Sequence, residues 1–391
     1  MFIVSQYVRY VKQTENPLAT RLGQLDFELT ERCNNNCIHC CINLPENDAD
    51  AKHRELTTAQ VQDILKQAAD LGFQQVRFTG GEPLLRHDFE ELYLFTRRLG
   101  LKALLYTNAR LITPPMADLF ARIPPLTEIE VTVYGMHKES YEAVTRWPGS
   151  FAQFWHGINL LLTRRVPFIV KGALLPQNRH EINEFENWAK TIPRMTRRPA
   201  YSTLFDFRER RVDEAKNRLI ESLRLSPQDV VSVLMRDENC HKEIAKFAST
   251  FMVPSGDHLF KCGACDGGSV CMDAYGRAQP CMGIRSPGLT CDVVGANGRT
   301  SMQDALDQFT HLRDLRATNP NYLQRCARCF LNGLCEQCPA KSWTEHGTLD
   351  TPVQYLCDVA HAMARKLGLL GEKECGWESH DWRTRIKPVA S

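Results

Sequence analysis

The stretch LDFELTERCNNNCIHC, residues 25–40, joins an apolar run directly to three closely spaced cysteines. The run Leu25–Leu29 predicts a strand, and Cys33, Cys37 and Cys40 follow it on a loop rich in asparagine, a residue that favours turns. Thiolates at this spacing can surround one compact centre, and they suit zinc or iron–sulfur clusters. A structural zinc site is closed by four ligands, so three cysteines leave one coordination position open.

Beyond this loop, short apolar runs alternate with amphipathic stretches as far as residue 207. The further predicted strands are Val76–Thr79, Ala103–Thr107, Ile129–Tyr134, Phe168–Leu174 and Ser202–Phe207, and the predicted helices are Leu56–Leu71, Phe89–Leu99, Pro115–Ile123, Phe151–Arg164 and Glu181–Thr191. Six strand–helix units predict a parallel sheet with right-handed crossovers. We therefore expect an α/β fold built as an open partial (β/α)6 barrel, with a flat doubly wound sheet as the alternative. In both folds the chemistry lies at the carboxyl ends of the strands.

Composition excludes several other classes of protein. The chain has 391 residues and a net charge of +2, so nucleic acid is not an expected partner. It has no long apolar run and no signal peptide at its start, so we expect no membrane association and a cytoplasmic location. Sixteen cysteines without a secretion signal favour metal binding over disulfides.

Changes in composition and hydrophobic periodicity along the chain predict five segments. They are an N-terminal extension (1–24), the partial barrel (25–207), a charged helical bridge (208–254), a cysteine-rich domain (255–360) and a C-terminal tail (361–391). Periodicity is weak beyond residue 255, where glycine, cysteine and turn residues dominate. We therefore expect the cysteine-rich domain to be held by metal rather than by a large core.

A second motif, Thr79-Gly80-Gly81-Glu82-Pro83, follows the second predicted strand and so lies at the same rim as the cysteine loop. Together with Cys33-x3-Cys37-x2-Cys40, it resembles the signature of the radical S-adenosylmethionine (radical SAM) enzymes. The resemblance implies that the three cysteines hold a [4Fe–4S] cluster whose fourth iron binds S-adenosylmethionine. It also implies that the Gly-Gly-Glu segment holds the methionine ammonium group.

Four further residues correspond to positions near the cofactor in that family. His39 stands where relatives usually have an aromatic ring beside the adenine. Asn108 belongs to a segment that is often Thr-Asn-Gly, although Ala109 replaces the glycine here. Tyr134 and Asn178 follow the fourth and fifth predicted strands and resemble further cofactor positions.

The C-terminal cysteines resemble the SPASM extension of radical SAM enzymes, which carries two auxiliary iron–sulfur clusters. The resemblance implies that Cys271, Cys281 and Cys338, with either Cys262 or Cys265, hold the first cluster, and that Cys326, Cys329, Cys335 and Cys357 hold the second. Two residues separate Cys335 from Cys338, where the family usually has three. On this segment alone, zinc is a serious alternative. No partner is predicted for Cys41, Cys240, Cys291 or Cys375.

The resemblance implies a radical SAM oxidoreductase or maturase that cleaves S-adenosylmethionine to a 5′-deoxyadenosyl radical and abstracts hydrogen from a substrate. The leading substrate is a ribosomally made precursor peptide, with an electron donor such as flavodoxin or ferredoxin. About 24 residues before the first strand are too few for a recognition domain, so either a separate peptide-recognition protein is a further partner or the substrate is recognised otherwise. The alternatives are a radical enzyme acting on a small molecule such as a tetrapyrrole, a non-catalytic iron–sulfur electron carrier and a zinc-based binding module. No acid–base residue can be named, and His87, His137, His180 and His241 are expected at the surface or at helix ends.

Overall fold

The computed structural model describes residues 23–208, 213–262, 269–294 and 300–386. Its main feature is a nine-stranded sheet with the order β11-β10-β9-β1-β4-β5-β6-β7-β8. Those strands are β1 Gln24–Thr30, β4 Gln75–Gly80, β5 Lys102–Thr107, β6 Leu126–Val133, β7 Phe168–Ala173, β8 Ala200–Ser202, β9 Ser269–Met272, β10 Arg277–Gln279 and β11 Cys291–Asp292. The short strands β2 Arg32–Cys33 and β3 Leu44–Pro45 pair separately at the cysteine loop.

The first part of the sheet confirms the predicted parallel α/β fold. Strands β1, β4, β5, β6, β7 and β8 lie in chain order, and each pairs in parallel with the next. In a doubly wound sheet the order of the strands would reverse at a point in the middle of the sheet. The alternative of a doubly wound sheet is therefore wrong. The sixth strand is the least accurate prediction, since it covers Ala200–Ser202 rather than Ser202–Phe207.

The predicted helices are present with small shifts at their ends. The helices are α1 Ala49–Arg54, α2 Thr58–Asp70, α3 Phe89–Arg98, α4 Pro114–Arg122, α5 Lys138–Thr145, α6 Ser150–Thr163, α7 Ile182–Ala189, α8 Glu214–Leu223, α9 Pro227–Leu234, α10 Glu238–Phe251, α11 Met302–Phe309, α12 Pro320–Gln324, α13 Pro339–His346, α14 Gln354–Lys366 and α15 Trp382–Arg385. Helix α2 begins with a capping box of Thr57 and Gln60, which satisfies backbone donors at its start. Of the helices in the described residues, none has the length and apolar character needed to span a bilayer.

The cysteine-rich region is joined to the sheet, which the sequence does not predict. Strand β9 pairs in parallel with β1, and β10 and β11 continue as an antiparallel ribbon. Val270 and Met272 of β9 lie in the same apolar core as Phe27 and Phe78. The expectation of a region held by metal instead of a core is therefore wrong for its first part, because β9 completes the edge of β1 and buries apolar side chains there.

A second apolar core lies under the last part of the chain. It joins α9, α10 and α14 through residues such as Leu234, Ile244, Phe330 and Val359. Helix α14 runs through residue 360, where the sequence predicts a boundary between the cysteine-rich domain and the tail. Residues after 360 therefore continue the packed structure.

Candidate functional site

One cavity collects most of the residues that the first two motifs predict. It has a volume of about 200 Å³ and lies at the carboxyl ends of the parallel strands. Its lining includes Cys33, Cys37, Cys40, His39, Gly80, Gly81, Asn108 and Tyr134. Because each parallel strand delivers its carboxyl end to the same rim, residues from separate motifs meet there.

The cysteine loop is fixed by groups from outside the loop. The Arg110 guanidinium donates to the carbonyl of Asn34 and, at 2.6 Å, to Oδ1 of Asn35. The Lys216 ammonium on α8 donates to the Cys37 carbonyl at 2.8 Å. Since the anchors come from distant parts of the fold, the loop is positioned by tertiary structure rather than by its own turns.

Of the three loop thiols, Cys37 is buried and Cys33 and Cys40 are half-buried, and the thiols affect one another electrostatically. Burial raises the pKa of Cys33 well above its usual range, and the charge of Cys37 adds to this. Burial raises the pKa of Cys37 to about 12, with Cys40 as the next cause. A bound cationic centre would reverse this balance and stabilise the thiolates, so the three side chains fit a metal–sulfur group.

Within the described residues, no group of three His, Cys, Asp or Glu side chains converges as a ready site for one metal ion. A four-iron cluster is held differently, because its cysteines bind separate irons of an extended group. The shared cavity, the burial and the mutual effect of the thiols are therefore the observations that bear on a cluster here.

The Gly80-Gly81 pair lets the end of β4 pass directly against the cysteine loop. Gly80 has a φ of +119°, and an added Cβ there would lie 2.2 Å from the carbonyl oxygen of Thr30. A Cβ on Gly81 would lie 2.1 Å from the carbonyl oxygen of Arg32. Only glycine allows this approach, so both glycines have a structural reason as well as a place in the cavity lining.

The Glu82 carboxylate is held by buried donors next to the cavity. Its fully buried carboxylate accepts hydrogen bonds from the backbone of Leu84 (3.2 Å) and Asn108 (2.8 Å) and from the Thr107 hydroxyl (2.8 Å). Burial raises the pKa of Glu82 to about 7, although these hydrogen bonds oppose the shift. The carboxylate faces the end of β5 rather than lining the cavity, because it satisfies buried donors there.

His39 belongs to an aromatic wall of the cavity. Its ring centroid lies 4.8 Å from that of Phe205 and 5.7 Å from that of Tyr134. Burial lowers the pKa of His39 to about 3, so the ring is neutral near pH 7. Its buried Nδ1 has no hydrogen-bond partner among the described residues. The side chain thus offers a flat neutral face and one unsatisfied polar atom.

Asn178 does not line this cavity. Its side-chain amide donates to the carbonyls of Tyr134 and Ala173, both at 2.8 Å, and its Oδ1 accepts from the backbone of Leu175. These bonds fasten the ends of β6 and β7 together. Asn178 therefore supports the cavity wall from behind rather than facing a ligand.

Sequence reasoning missed a buried charged group at the base of the cavity. Lys171 and Tyr106 both line it, and the Lys171 ammonium lies 3.6 Å from the Tyr106 ring centroid. Glu130 binds Lys171 at 2.5 Å. Burial lowers the pKa of Lys171, and Glu130 opposes that shift. The available signal was a lysine inside the apolar strand Phe168–Leu174.

The predicted first auxiliary set is brought together in part. Cys262 and Cys338 both raise the pKa of the Cys281 thiol, after the larger effect of burial. Cys271, a further predicted ligand of this set, is linked to Cys281 through Arg285. The guanidinium donates to the Cys281 carbonyl at 3.0 Å and to Cys271 Sγ at 3.7 Å. Cys265 lies outside the described residues.

The predicted second auxiliary set shares one pocket. Cys326, Cys329, Cys335 and Cys357 line a cavity of about 40 Å³. Arg325 donates to Cys357 Sγ at 3.5 Å. The four thiols that the resemblance groups together therefore lie around one pocket.

The cysteines and histidines without a predicted role are dispersed. Cys41 lines the first cavity, Cys291 donates to Gln308 at 3.0 Å, Cys240 lies in the first turn of α10, and Cys375 lies near the second auxiliary set. His87, His137 and His180 are exposed and His241 is half-buried.

A larger cavity of about 610 Å³, between α9, α10 and α14, is lined by none of the predicted site residues.

Comparison with known families confirms the resemblance. Residues 27–189 match the model of the Radical SAM superfamily. The family implies a [4Fe–4S] cluster and S-adenosylmethionine, and the match confirms that residues 27–189 resemble a radical SAM domain.

Curated relatives include both peptide and small-molecule enzymes. The chain is 29% identical to an AdoMet-dependent heme synthase of Methanosarcina barkeri over 42% of this chain and 46% of that protein. It is 22% identical to an AdoMet-dependent heme synthase of Nitratidesulfovibrio vulgaris over 82% of this chain and 88% of that protein. It is 31% identical to a PqqA peptide cyclase of Gluconobacter oxydans over 42% of this chain and 45% of that protein. The match thus spans less than half the length of the first and third of these relatives.

Solved structures share the fold over most of the chain. Native anSMEcpe with bound AdoMet aligns with a TM-score of 0.57 and 13% identity, covering 88% of this chain and 96% of that one. Streptococcus suis SuiB bound to precursor peptide SuiA aligns with a TM-score of 0.57 and 16% identity, covering 85% and 75%. At these identities the likeness establishes the fold alone.

Proposed function

Since residues 27–189 form a radical SAM domain, we propose that the chain is a radical SAM enzyme that modifies a ribosomally made precursor peptide by a cross-link or a backbone or side-chain change. The observation that carries the catalytic proposal is the cavity shared by Cys33, Cys37 and Cys40 with the Gly80-Gly81 segment. It places three thiols beside a space that a small organic cofactor can enter.

In this proposal Cys33, Cys37 and Cys40 hold a [4Fe–4S] cluster. When bound, the cluster supplies the electron that cleaves S-adenosylmethionine to a 5′-deoxyadenosyl radical. The protein contributes binding and orientation. The ring of His39, with Tyr134 and Phe205, offers an aromatic wall for the adenine.

The other motif residues are of two kinds: some are proposed to contact S-adenosylmethionine, and others to hold those contacting residues in place. The Gly80-Gly81 backbone and Asn108 line the cavity and are proposed to bind the methionine part of S-adenosylmethionine. Glu82 and Asn178 are proposed to act through these neighbours, because Glu82 holds the Asn108 backbone and Asn178 holds the Tyr134 carbonyl. Both are positioning residues in this account.

The C-terminal thiols are proposed to hold two auxiliary iron–sulfur clusters of the same four-iron type, with Cys271, Cys281, Cys338 and either Cys262 or Cys265 at the first. Cys326, Cys329, Cys335 and Cys357 hold the second. Lys341, three residues after Cys338, forms an ion pair with Asp206, which lines the first cavity. This contact supports a role for the first auxiliary cluster close to the substrate.

The peptide substrate is supported by the names of similar proteins. The PqqA peptide cyclase and SuiB bound to its precursor peptide are both peptide-directed. An electron donor such as flavodoxin or ferredoxin, and a separate peptide-recognition protein, complete the proposed system.

A small-molecule substrate, such as a tetrapyrrole, is the second candidate. The observation that favours it is the heme synthase relative aligned over 82% of this chain, a longer match than that of the peptide cyclase. An iron–sulfur electron carrier, in contrast, would leave the cavity beside the thiols without a use.

The test is an anaerobic assay of the reconstituted protein with dithionite and S-adenosylmethionine. Formation of 5′-deoxyadenosine is measured alone, with a precursor peptide encoded beside the gene, and with a tetrapyrrole carboxylic acid. The proposal expects the peptide to stimulate 5′-deoxyadenosine and to change in mass. Stimulation and conversion of the tetrapyrrole alone would transfer the assignment to the second candidate. Iron binding without any 5′-deoxyadenosine would favour the electron carrier.

A further inference from the structure

A C-terminal segment lies directly against the second auxiliary set. We call residues 371–379 the cap segment. Its Gly376 carbonyl accepts from the backbone of Phe330 at 3.4 Å, and Trp377 lines the same pocket as the four cysteines. A Cβ on Gly376 would lie 2.6 Å from Cys329 Sγ. The backbone next to Cys375 therefore touches one of the predicted cluster ligands.

His361 links the cap segment to Cys357. The backbone N–H of Gly376 donates to His361 Nε2 at 3.0 Å, so Nδ1 carries the ring proton in the neutral form. Nδ1 lies 2.7 Å from the Cys357 carbonyl oxygen and 3.5 Å from Cys357 Sγ. One buried imidazole thus holds the turn that bears Cys357 and the residue that follows Cys375.

Charged groups of both signs face Cys375. Glu378 raises the pKa of its thiol after the larger effect of burial, whereas Arg365 and Arg325 lower it. Arg325 also donates to Cys357 Sγ at 3.5 Å, so the same guanidinium lies near Cys357 and Cys375.

From these contacts we propose that Cys375 is an alternative ligand of the second auxiliary cluster and can take the position of Cys357. In the exchange, the iron–sulfur bond to Cys357 breaks and a bond to Cys375 forms. The Cys375 thiol loses its proton and the Cys357 thiolate gains one, so no oxidant or reductant is needed. This inference rests on the proposed function, since it assumes the second auxiliary cluster.

The exchange gives a use to a fifth thiol, which lies beyond the four that line the pocket and whose neighbour Gly376 packs against Cys329. It also gives the cap segment a role in metal binding that the sequence does not show, because Cys375 lies 18 residues beyond Cys357 and outside the spacing of the motif. A merely structural Cys375 would have no effect on iron content when Cys357 is absent.

The test measures iron and the electron paramagnetic resonance spectrum of reconstituted full-length protein. The variants are Cys357→Ala, Cys375→Ala and the double substitution, with Cys240→Ala as a buried-cysteine control. Wild type is expected to hold about twelve irons, from three four-iron clusters. Each single variant is expected to keep about the same number, whereas the double variant loses about four.

Three results would overturn the inference. One is loss of about four irons in Cys357→Ala alone, and another is retention of about twelve in the double variant. If wild type itself holds only about four irons, the auxiliary clusters fail together with the inference, while 5′-deoxyadenosine formation reports separately on the catalytic site. Serine replacements at both positions and circular dichroism of each variant separate loss of a ligand from loss of fold.

Discussion

The first cavity and the second auxiliary pocket hold their cysteines in contrasting ways. Cys33, Cys37 and Cys40 follow a long buried strand, and their loop is anchored by Arg110 and Lys216. Around the second pocket, the thiols lie on the short 3₁₀ helix Cys326–Arg328, beside another at Leu331–Gly333, and at the start of α14. The first arrangement is thus a product of the sheet, whereas the second has little regular structure of its own.

This difference indicates which of the two regions is held in shape by the protein and which needs a bound metal group. Short 3₁₀ helices have poor hydrogen-bond geometry and few bonds. A group that binds four thiolates can supply the missing constraints, because its binding energy becomes folding energy. We therefore expect the second pocket to depend on its metal and the first cavity to keep its shape without it.

Iron removal is the strongest way to break this comparison. After chelation under reducing conditions, amides of residues 320–335 are expected to exchange with deuterium at least about 100-fold faster, because local opening no longer breaks metal bonds. Amides of β1, β4, β5 and β6 are expected to change by less than about threefold. Mass spectrometry of exchanged peptides measures both regions in one sample. Equal loss of protection in β1 and in 320–335 would show that the sheet depends on metal as well.

Gly81→Ala tests whether the first cavity is built by backbone contact. The new Cβ would lie 2.1 Å from the Arg32 carbonyl oxygen, which cannot move without displacing the cysteine loop. We expect a loss of about 3 kcal/mol of unfolding free energy, typical of severe overpacking. Denaturant unfolding of the iron-free protein measures it. Gly288→Ala is the matched control, since nothing lies within 4 Å of its added Cβ, and an equal loss in both variants would contradict the account.

Gly376→Ala applies the same change to the second pocket. Its Cβ would lie 2.6 Å from Cys329 Sγ, which is a side-chain atom and can shift. We expect a smaller loss, about 1–2 kcal/mol, together with faster release of about four irons to a chelator. The absorbance of the iron–chelator complex over time measures the release. Gly371→Ala serves as the control, because its Cβ would approach no atom more closely than 3.6 Å. If Gly376→Ala released iron at the unchanged wild-type rate, the cap segment would not be part of the metal site.

The smallest expected effect sharpens the account of the first cavity. Ala109 has a φ of +62°, in the region that favours glycine, and its side chain is fully buried. Arg146 has a φ of +56° but is exposed. We expect Arg146→Gly to add about 1 kcal/mol of stability and Ala109→Gly less than about 0.5 kcal/mol, because the second change also removes a buried methyl group. Thermal unfolding of both variants checks the order, and a larger gain from Ala109→Gly would mean that its methyl group is itself strained.

Most of the sheet was predictable from local pattern. Apolar runs of strand length and amphipathic helices gave five of the six parallel strands within a few residues, and the Thr57–Gln60 capping box marked the start of α2. These features depend on residues close together in the chain. The grouping of Cys326, Cys329, Cys335 and Cys357 around one pocket, in contrast, was implied by the resemblance to the SPASM extension.

What the sequence did not predict depends on distant partners. Strand β9 has only four residues and pairs with β1, about 245 residues earlier, so no local pattern marks it. The orientation of Glu82 follows from the donors on Thr107 and Asn108, and the place of Lys171 follows from Glu130 on the neighbouring strand. The role of the cap segment likewise requires His361 on α14.

The central claim is that Cys33, Cys37 and Cys40 hold the cluster that cleaves S-adenosylmethionine. The most direct measurement compares 5′-deoxyadenosine and iron between reconstituted wild type and the Cys33/Cys37/Cys40→Ala variant. The account predicts that the variant makes no detectable 5′-deoxyadenosine, loses about a third of its iron and keeps the far-ultraviolet circular dichroism of the wild type. A variant that still forms 5′-deoxyadenosine, or that keeps all of its iron, would contradict the account.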